Sequence, residues 1–130
     1  MAVYADTSAL VKLVVAENET PALHRWLQAA APTLVSSDLA RTELQRAVRR
    51  AAPQLMPDAR RVLDAVILVE ATPAIFDAAG RVTPIELRSL DAIHLVTALD
   101  LGDDLDALLA YDERLIDAAT GHGIPTISPS

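Results

Sequence analysis

Four acidic residues stand where their side chains can do chemistry: Asp6, Glu43, Asp91 and Asp112. Asp6 ends the apolar run Val3-Tyr4-Ala5 and is followed by the hydroxyl pair Thr7-Ser8. Asp112 ends a second apolar run, Ala107-Leu108-Leu109-Ala110-Tyr111. Both patterns put a carboxylate at the carboxyl end of a strand and beside a helix N-terminus. Glu43 lies inside a helical pattern and is followed by Arg46, Arg49 and Arg50. Asp91 opens a strongly apolar helix, Ala92-Ile93-His94-Leu95. Each acid has an ordinary explanation. Asp is a preferred N-cap worth about 1 kcal/mol, an acid in a first turn suits the helix dipole, and Glu43 could be a surface ion-pair partner of little value. His94 reads as a satisfied core histidine. Together the acids say more. Hard divalent cations take several carboxylate oxygens and keep some water. Two such ions can bind a phosphodiester, lower the pKa of an attacking water and stabilise the leaving oxygen. That chemistry requires neither a Cys nor a catalytic His.

The elements that must gather these acids are short. An apolar strand over Ala2–Ala5 leads into a helix capped by Asp6 or Thr7, which buries Leu10, Val11, Leu13 and Val14. Thr20-Pro21 starts a second helix, with Pro favoured at the first helical position; it ends at Ala29-Ala30-Ala31 before Pro32. A strand follows over 33–36, then a helix from 39 to about 52 with the stripe Leu44, Ala47 and Val48. Glu43, Arg46 and Arg50 occupy a different stripe of that helix. Another helix spans 58 to about 65. The stretch 66–72 is divided into a helix end and a strand over 68–71. Thr72-Pro73 opens a helix through Ala79, and the capping-box spacing of Thr83-Pro84-Ile85-Glu86 predicts a further helical turn. Ser89 caps a helix over 90–101 with the stripe Ala92, Ile93, Val96 and Leu99. A strand over 107–111, a helix capped by Asp112 and a last strand over 124–128 complete the chain. Short apolar strands alternating with helices predict an α/β fold, a three-layer α/β/α sandwich with a mostly parallel sheet of four to five short strands. Right-handed crossovers then bring the strand carboxyl ends to one edge, where open α/β sheets bind ligands.

The totals bound the function. The chain of 130 residues suits a single domain over its whole length. Hydrophobic residues make up 52% of it and aromatics 3%, so the core is aliphatic. The absence of Cys excludes disulfides, thiolate metal sites and Cys nucleophiles. No apolar run approaches the ~18 residues of a membrane span, and Met1-Ala2-Val3 reaches Asp6 too soon for a signal peptide. The expectation is a soluble, cytoplasmic protein. The net charge of −7 argues against nucleic-acid binding driven by charge alone. Clustered acids neutralised by metal remain compatible with a nuclease. The basic residues Arg41, Arg46, Arg49, Arg50, Arg60 and Arg61 are close in sequence and give a local basic face, whose ordinary explanation is a solvated helix surface.

With these residues in place, the sequence resembles a PIN-domain protein, a VapC-type toxin ribonuclease of a type II toxin–antitoxin system. The resemblance is carried by Tyr4-Ala5-Asp6-Thr7-Ser8-Ala9-Leu10, then by Ser37-Asp38-Leu39-Ala40-Arg41-Thr42-Glu43-Leu44, Leu90-Asp91-Ala92-Ile93-His94-Leu95 and Tyr111-Asp112-Glu113-Arg114-Leu115. It implies an endoribonuclease dependent on Mg²⁺ or Mn²⁺, with Asp6, Glu43, Asp91 and Asp112 as a catalytic, metal-binding quartet. Glu113 is the alternative to Asp112 as the fourth acid. Thr7 or Ser8 matches the family's polar residue beside the first acid, in a supporting role. The resemblance also implies an RNA substrate, a cognate antitoxin protein and a toxin homodimer, with no membrane and no direct DNA contact. Two other enzyme classes fit poorly. Haloacid-dehalogenase-like enzymes resemble a D-x-D start, whereas Ser8 stands at the second Asp position. Response-regulator receivers expect a late Lys, whereas the only Lys is Lys12. The reading of a different class is a non-catalytic PIN-like module that binds RNA or protein.

Overall fold

Five parallel strands in the order β3-β2-β1-β4-β5 form the middle layer of the computed structural model, which describes residues 1–130. They are β1 (Ala2–Ala5), β2 (Thr33–Ser37), β3 (Ile67–Val69), β4 (Ala107–Leu109) and β5 (Thr126–Ile127). The helices are α1 (Thr7–Lys12), α2 (Thr20–Ala30), α3 (Leu39–Ala51), α4 (Met56–Ala65), α5 (Pro73–Ala79), α6 (Ser89–Asp100) and α7 (Glu113–Gly121). No helix is long and apolar enough to cross a membrane.

β1 is central, and beyond the half-buried Ala2 it is covered: Val3, Tyr4 and Ala5 have no exposed surface. Its pleat sends alternate side chains to opposite layers. Val3 and Ala5 pack with Leu10, Leu23, Leu44, Val48 and Leu63 from α1 to α4. Tyr4 packs on the other face with Leu95 of α6 and Leu115 of α7. The three-layer α/β/α sandwich expected from the alternation is the fold observed. β1 pairs Tyr4 with Val35 on one side and with Leu108 on the other. The ladder then continues one residue beyond the strand, where the Asp6 N–H donates to the Leu109 carbonyl at 3.2 Å. Asp6 is therefore fixed by the sheet as well as by the helix it caps.

The structure departs from the expected elements at four places. α1 stops at Lys12, so Leu13 and Val14 pack from the turn rather than from a helical face. Lys12 is buried there, with its ammonium 2.9 Å from Glu19, 3.6 Å from Glu17 and over the Tyr111 ring. β3 is Ile67–Val69, not 68–71; α4 ends at Ala65, and pairing with Val35, Ser36 and Ser37 sets the register at once. Periodicity could not find that register because β3 is an edge strand with Ile67 exposed. The segment 83–86 enters a single turn closed by the Leu87 N–H on the Pro84 carbonyl at 3.1 Å, and no helix forms. Thr83 spends its carbonyl on His122 and Pro84 accepts only from Leu87, so no helix propagates from the cap-like spacing. Finally, α6 shows no simple stripe, because all seven residues from Ala92 to Ala98 are buried. The reason is its position between the sheet and α5: Leu95 and Ala98 face the inner cluster while Ile93 and Val96 meet Ile75.

Candidate active site

The strand carboxyl ends carry a group of acids held by two different kinds of support. Asp6 is 4% exposed and caps α1: its Oδ1 accepts the Ala9 N–H at 3.2 Å and the Ser8 hydroxyl at 2.6 Å. Ser8 Oγ also accepts the Tyr111 N–H at 2.9 Å. One hydroxyl therefore ties the end of β1 to the segment that leads from β4 to Asp112. Thr7 points elsewhere. Its hydroxyl donates to Glu43 Oε1 at 2.8 Å. His94 Nε2 lies 2.6 Å from the same oxygen, and His94 Nδ1 lies 2.6 Å from the Tyr4 hydroxyl.

The second pair is looser. Asp112 caps α7, with Oδ1 accepting from the N–H groups of Arg114 at 2.9 Å and Leu115 at 3.3 Å. Its Oδ2 lies 3.4 Å from the Arg88 guanidinium, which also lies 3.4 Å from Asp91 Oδ2. Arg88 is largely exposed, while the two carboxylates are mostly covered. Glu113 is exposed and bonds to none of these groups. The structure thus places Asp6, Glu43, Asp91 and Asp112 at one edge, with Thr7 and Ser8 bonded to members of the group.

The charges are unbalanced. Burial raises Asp6 to about 6, a rise that the Ser8 bond opposes and Asp112 reinforces. Burial, then repulsion from Asp112, pushes Asp91 above the usual carboxylate range, and Arg88 pulls it back in part. Burial also works against ionised Glu43, but the His94 and Thr7 bonds outweigh it and leave Glu43 below its ordinary value. Burial holds the Tyr4 phenol far above its ordinary range, so it stays protonated.

As these side chains lie, no three of them stand ready around one ion. The donor set nonetheless suits a hard divalent cation. All its free donors are carboxylate oxygens. Asp6 and Asp91 are raised chiefly by burial and further by repulsion from Asp112, penalties on the charged forms that a dication offsets. The Arg88 guanidinium already stands between Asp91 and Asp112 as a positive group. Arg88 has no signature in the sequence, since nothing marks one exposed Arg among many. His94 looks like core until its partners, far away in the chain, are known.

A model of the PIN domain matches residues 3–121. The ribonuclease VapC46 of Mycobacterium tuberculosis is 46% identical over 99% of this chain and 98% of its own. The ribonuclease VapC47 of the same species is 39% identical over 98% of this chain and 96% of its own. Among solved structures, the sarcin–ricin-loop-cleaving toxin VapC20 of M. tuberculosis superposes with a TM-score of 0.78 at 18% identity, covering 98% of this chain and 99% of that one. The sheet-edge acids therefore sit on a fold and in a sequence of known kind: the chain belongs to the PIN-domain family, among its VapC-type ribonucleases.

Proposed function

We propose that this chain is a metal-dependent endoribonuclease that acts as the toxin of a toxin–antitoxin pair, with Asp6, Glu43, Asp91 and Asp112 as its working acids. The observation that carries the reading is the crowding of Asp6, Asp91 and Asp112 at the strand ends, where burial and mutual repulsion keep two carboxyls above their normal range. Mg²⁺ or Mn²⁺ bound there supplies a Lewis acid for the phosphate and a more acidic water. Asp6 and Asp91 are the residues that would hold it, completed by Asp112 and Glu43. Asp112 is favoured over Glu113 as the fourth acid because Asp112 is the one whose charge reaches Asp6 and Asp91.

The chain's own contribution is placement. The sheet and the α1 cap fix Asp6, and Ser8 fixes the approach of the Asp112 segment. Thr7 holds one oxygen of Glu43. Arg88 neutralises the outer acids before the metal arrives, and the RNA phosphate brings a negative charge to which its guanidinium can turn. The family likeness supports a reading of one domain over 1–130, a cytoplasmic location, a homodimer and a cognate antitoxin. Exposed Phe76, Ile85 and Leu90 supply apolar surface on the α5–α6 side.

The test is cleavage of a mixed cellular RNA pool by purified protein with Mg²⁺ or Mn²⁺, beside EDTA and Asp6→Asn controls. Discrete products that vanish in both controls are expected. RNA retained without cleavage, and indifferent to EDTA, would instead indicate a non-catalytic binding module.

A further inference from the structure

A line of hydrogen bonds runs from the centre of the sheet to Glu43. Tyr4 has no exposed surface and His94 is 2% exposed. The two rings meet edge to face, 5.8 Å apart and inclined at 72°. The Tyr4 hydroxyl is 2.6 Å from Nδ1, and Nε2 is 2.6 Å from Glu43 Oε1. The direction of the bond to Glu43 follows from what the partners can donate. An ionised carboxylate only accepts, so Nε2 carries the ring proton. The Tyr4 hydroxyl pairs with Nδ1 on the other side of the ring. The two bonds share one ring and polarise each other in a dry setting. With the Thr7 hydroxyl, Oε1 receives two donors. Oε2 receives none from the protein.

A histidine that merely filled the core would have no cause to end on a half-exposed carboxylate at the functional edge. We propose that His94 is a positioning residue for the nuclease reaction. Backed by Tyr4 and flanked by Thr7, it fixes Glu43 so that Oε2 alone faces the metal and the reacting water. The proposal rests on the nuclease reading above and adds which oxygen of Glu43 works and what holds it there.

The test compares wild type with His94→Gln, His94→Leu and Tyr4→Phe. The Gln amide N–H can still reach Oε1; the Leu side chain cannot. Three quantities are read: Mn²⁺ affinity by calorimetry without RNA, kcat and KM on an RNA substrate, and thermal unfolding. His94→Leu is expected to lose on the order of 10–100-fold in Mn²⁺ affinity and kcat, with KM little changed and unfolding still cooperative. His94→Gln is expected to recover most of that loss, and Tyr4→Phe to fall between the two. Equal losses in the Leu and Gln variants, or wild-type behaviour in His94→Leu, would overturn the proposal. If His94→Leu fails to fold, the nitrogen resonances of the His94 ring in metal-free wild type decide: a proton on Nε2 is expected, and an Nε2 that carries none overturns the proposal. Failure of the nuclease reading shows separately, as wild type that neither binds Mn²⁺ nor cleaves RNA, and takes this proposal with it.

Discussion

The inner and outer halves of the acidic site are built on opposite principles. The inner half, Asp6 and Glu43, is held by donors that are themselves held: the β1–β4 ladder, the α1 cap, Thr7, and His94 with Tyr4 behind it. In the outer half Asp112 caps α7 through Oδ1, but Asp91 and the free Oδ2 of Asp112 meet only Arg88, an exposed side chain at 3.4 Å from each. An exposed ion pair of that length is worth at most about 1 kcal/mol. The inner half is therefore preorganised, and the outer half can rearrange around whatever enters. A site built this way keeps its reference frame in the sheet and leaves the adjustment to the helix N-termini.

Breaking the inner half should do the most damage to function while helping the fold. Asp6→Asn keeps the Oδ1 that accepts from Ala9 and Ser8 but loses the charge. Cleavage is expected to fall by on the order of 1,000-fold, the several kcal/mol that metal-held phosphate chemistry contributes. The metal-free variant should be more stable than wild type at neutral pH. The sign follows from the raised pKa. Asp6 titrates near 3.8 when unfolded and at about 6 when folded, so the folded form binds the extra proton between those values and ionisation penalises it above them. The advantage of Asn should be absent below pH 4 and grow through the window, reaching up to about 3 kcal/mol above pH 6. Chemical denaturation at several pH values checks it; an advantage that shrinks as pH rises would contradict the buried-charge account.

Glu43→Gln comes next. It puts an amide nitrogen where Oε2 was while Oε1 keeps its donors, and should cost on the order of 10–100-fold in cleavage, measured as kcat with KM nearly constant. In the outer half, Asp112→Asn should cost less, about tenfold in kcat by the lower edge of the same range. Asn caps a helix about as well as Asp, so the unfolding midpoint should barely move. Arg88→Gln should have the smallest effect and the opposite sign. Removing the resident cation from Asp91 and Asp112 should tighten Mn²⁺ binding by up to about fivefold, the worth of an exposed pair, as titration calorimetry would show. Weaker binding would mean that Arg88 holds the outer acids open for the metal.

The same contrast explains what the sequence revealed. Asp6 and Asp112 were legible because an apolar run ending at an Asp before a helical pattern is a local signal. The parallel three-layer sandwich was legible from the alternation of such runs with helices. Asp91 and Glu43 gained meaning only in company, through the family's blocks of residues. Arg88 stayed hidden, and so did the use of His94, because both depend on partners that lie far off in the chain. His94 is separated from Glu43 by 51 residues, and no periodicity encodes which oxygen it meets. The errors in α1, β3 and 83–86 are of one kind. Each boundary lies where a tertiary bond took over a backbone group, at the Lys12 carbonyl with the Thr20 hydroxyl, at Val35 with Ile67 and at the Thr83 carbonyl with His122.

The most direct test of the account is the anomalous diffraction of a crystal soaked in Mn²⁺. The prediction is Mn²⁺ coordinated by Asp6 and Asp91, with Asp112 and the Oε2 of Glu43 directly or through water, and with the Arg88 side chain displaced from the gap. Mn²⁺ bound only elsewhere on the surface, with Asp6 untouched in a crystal of protein that cleaves RNA, would contradict it.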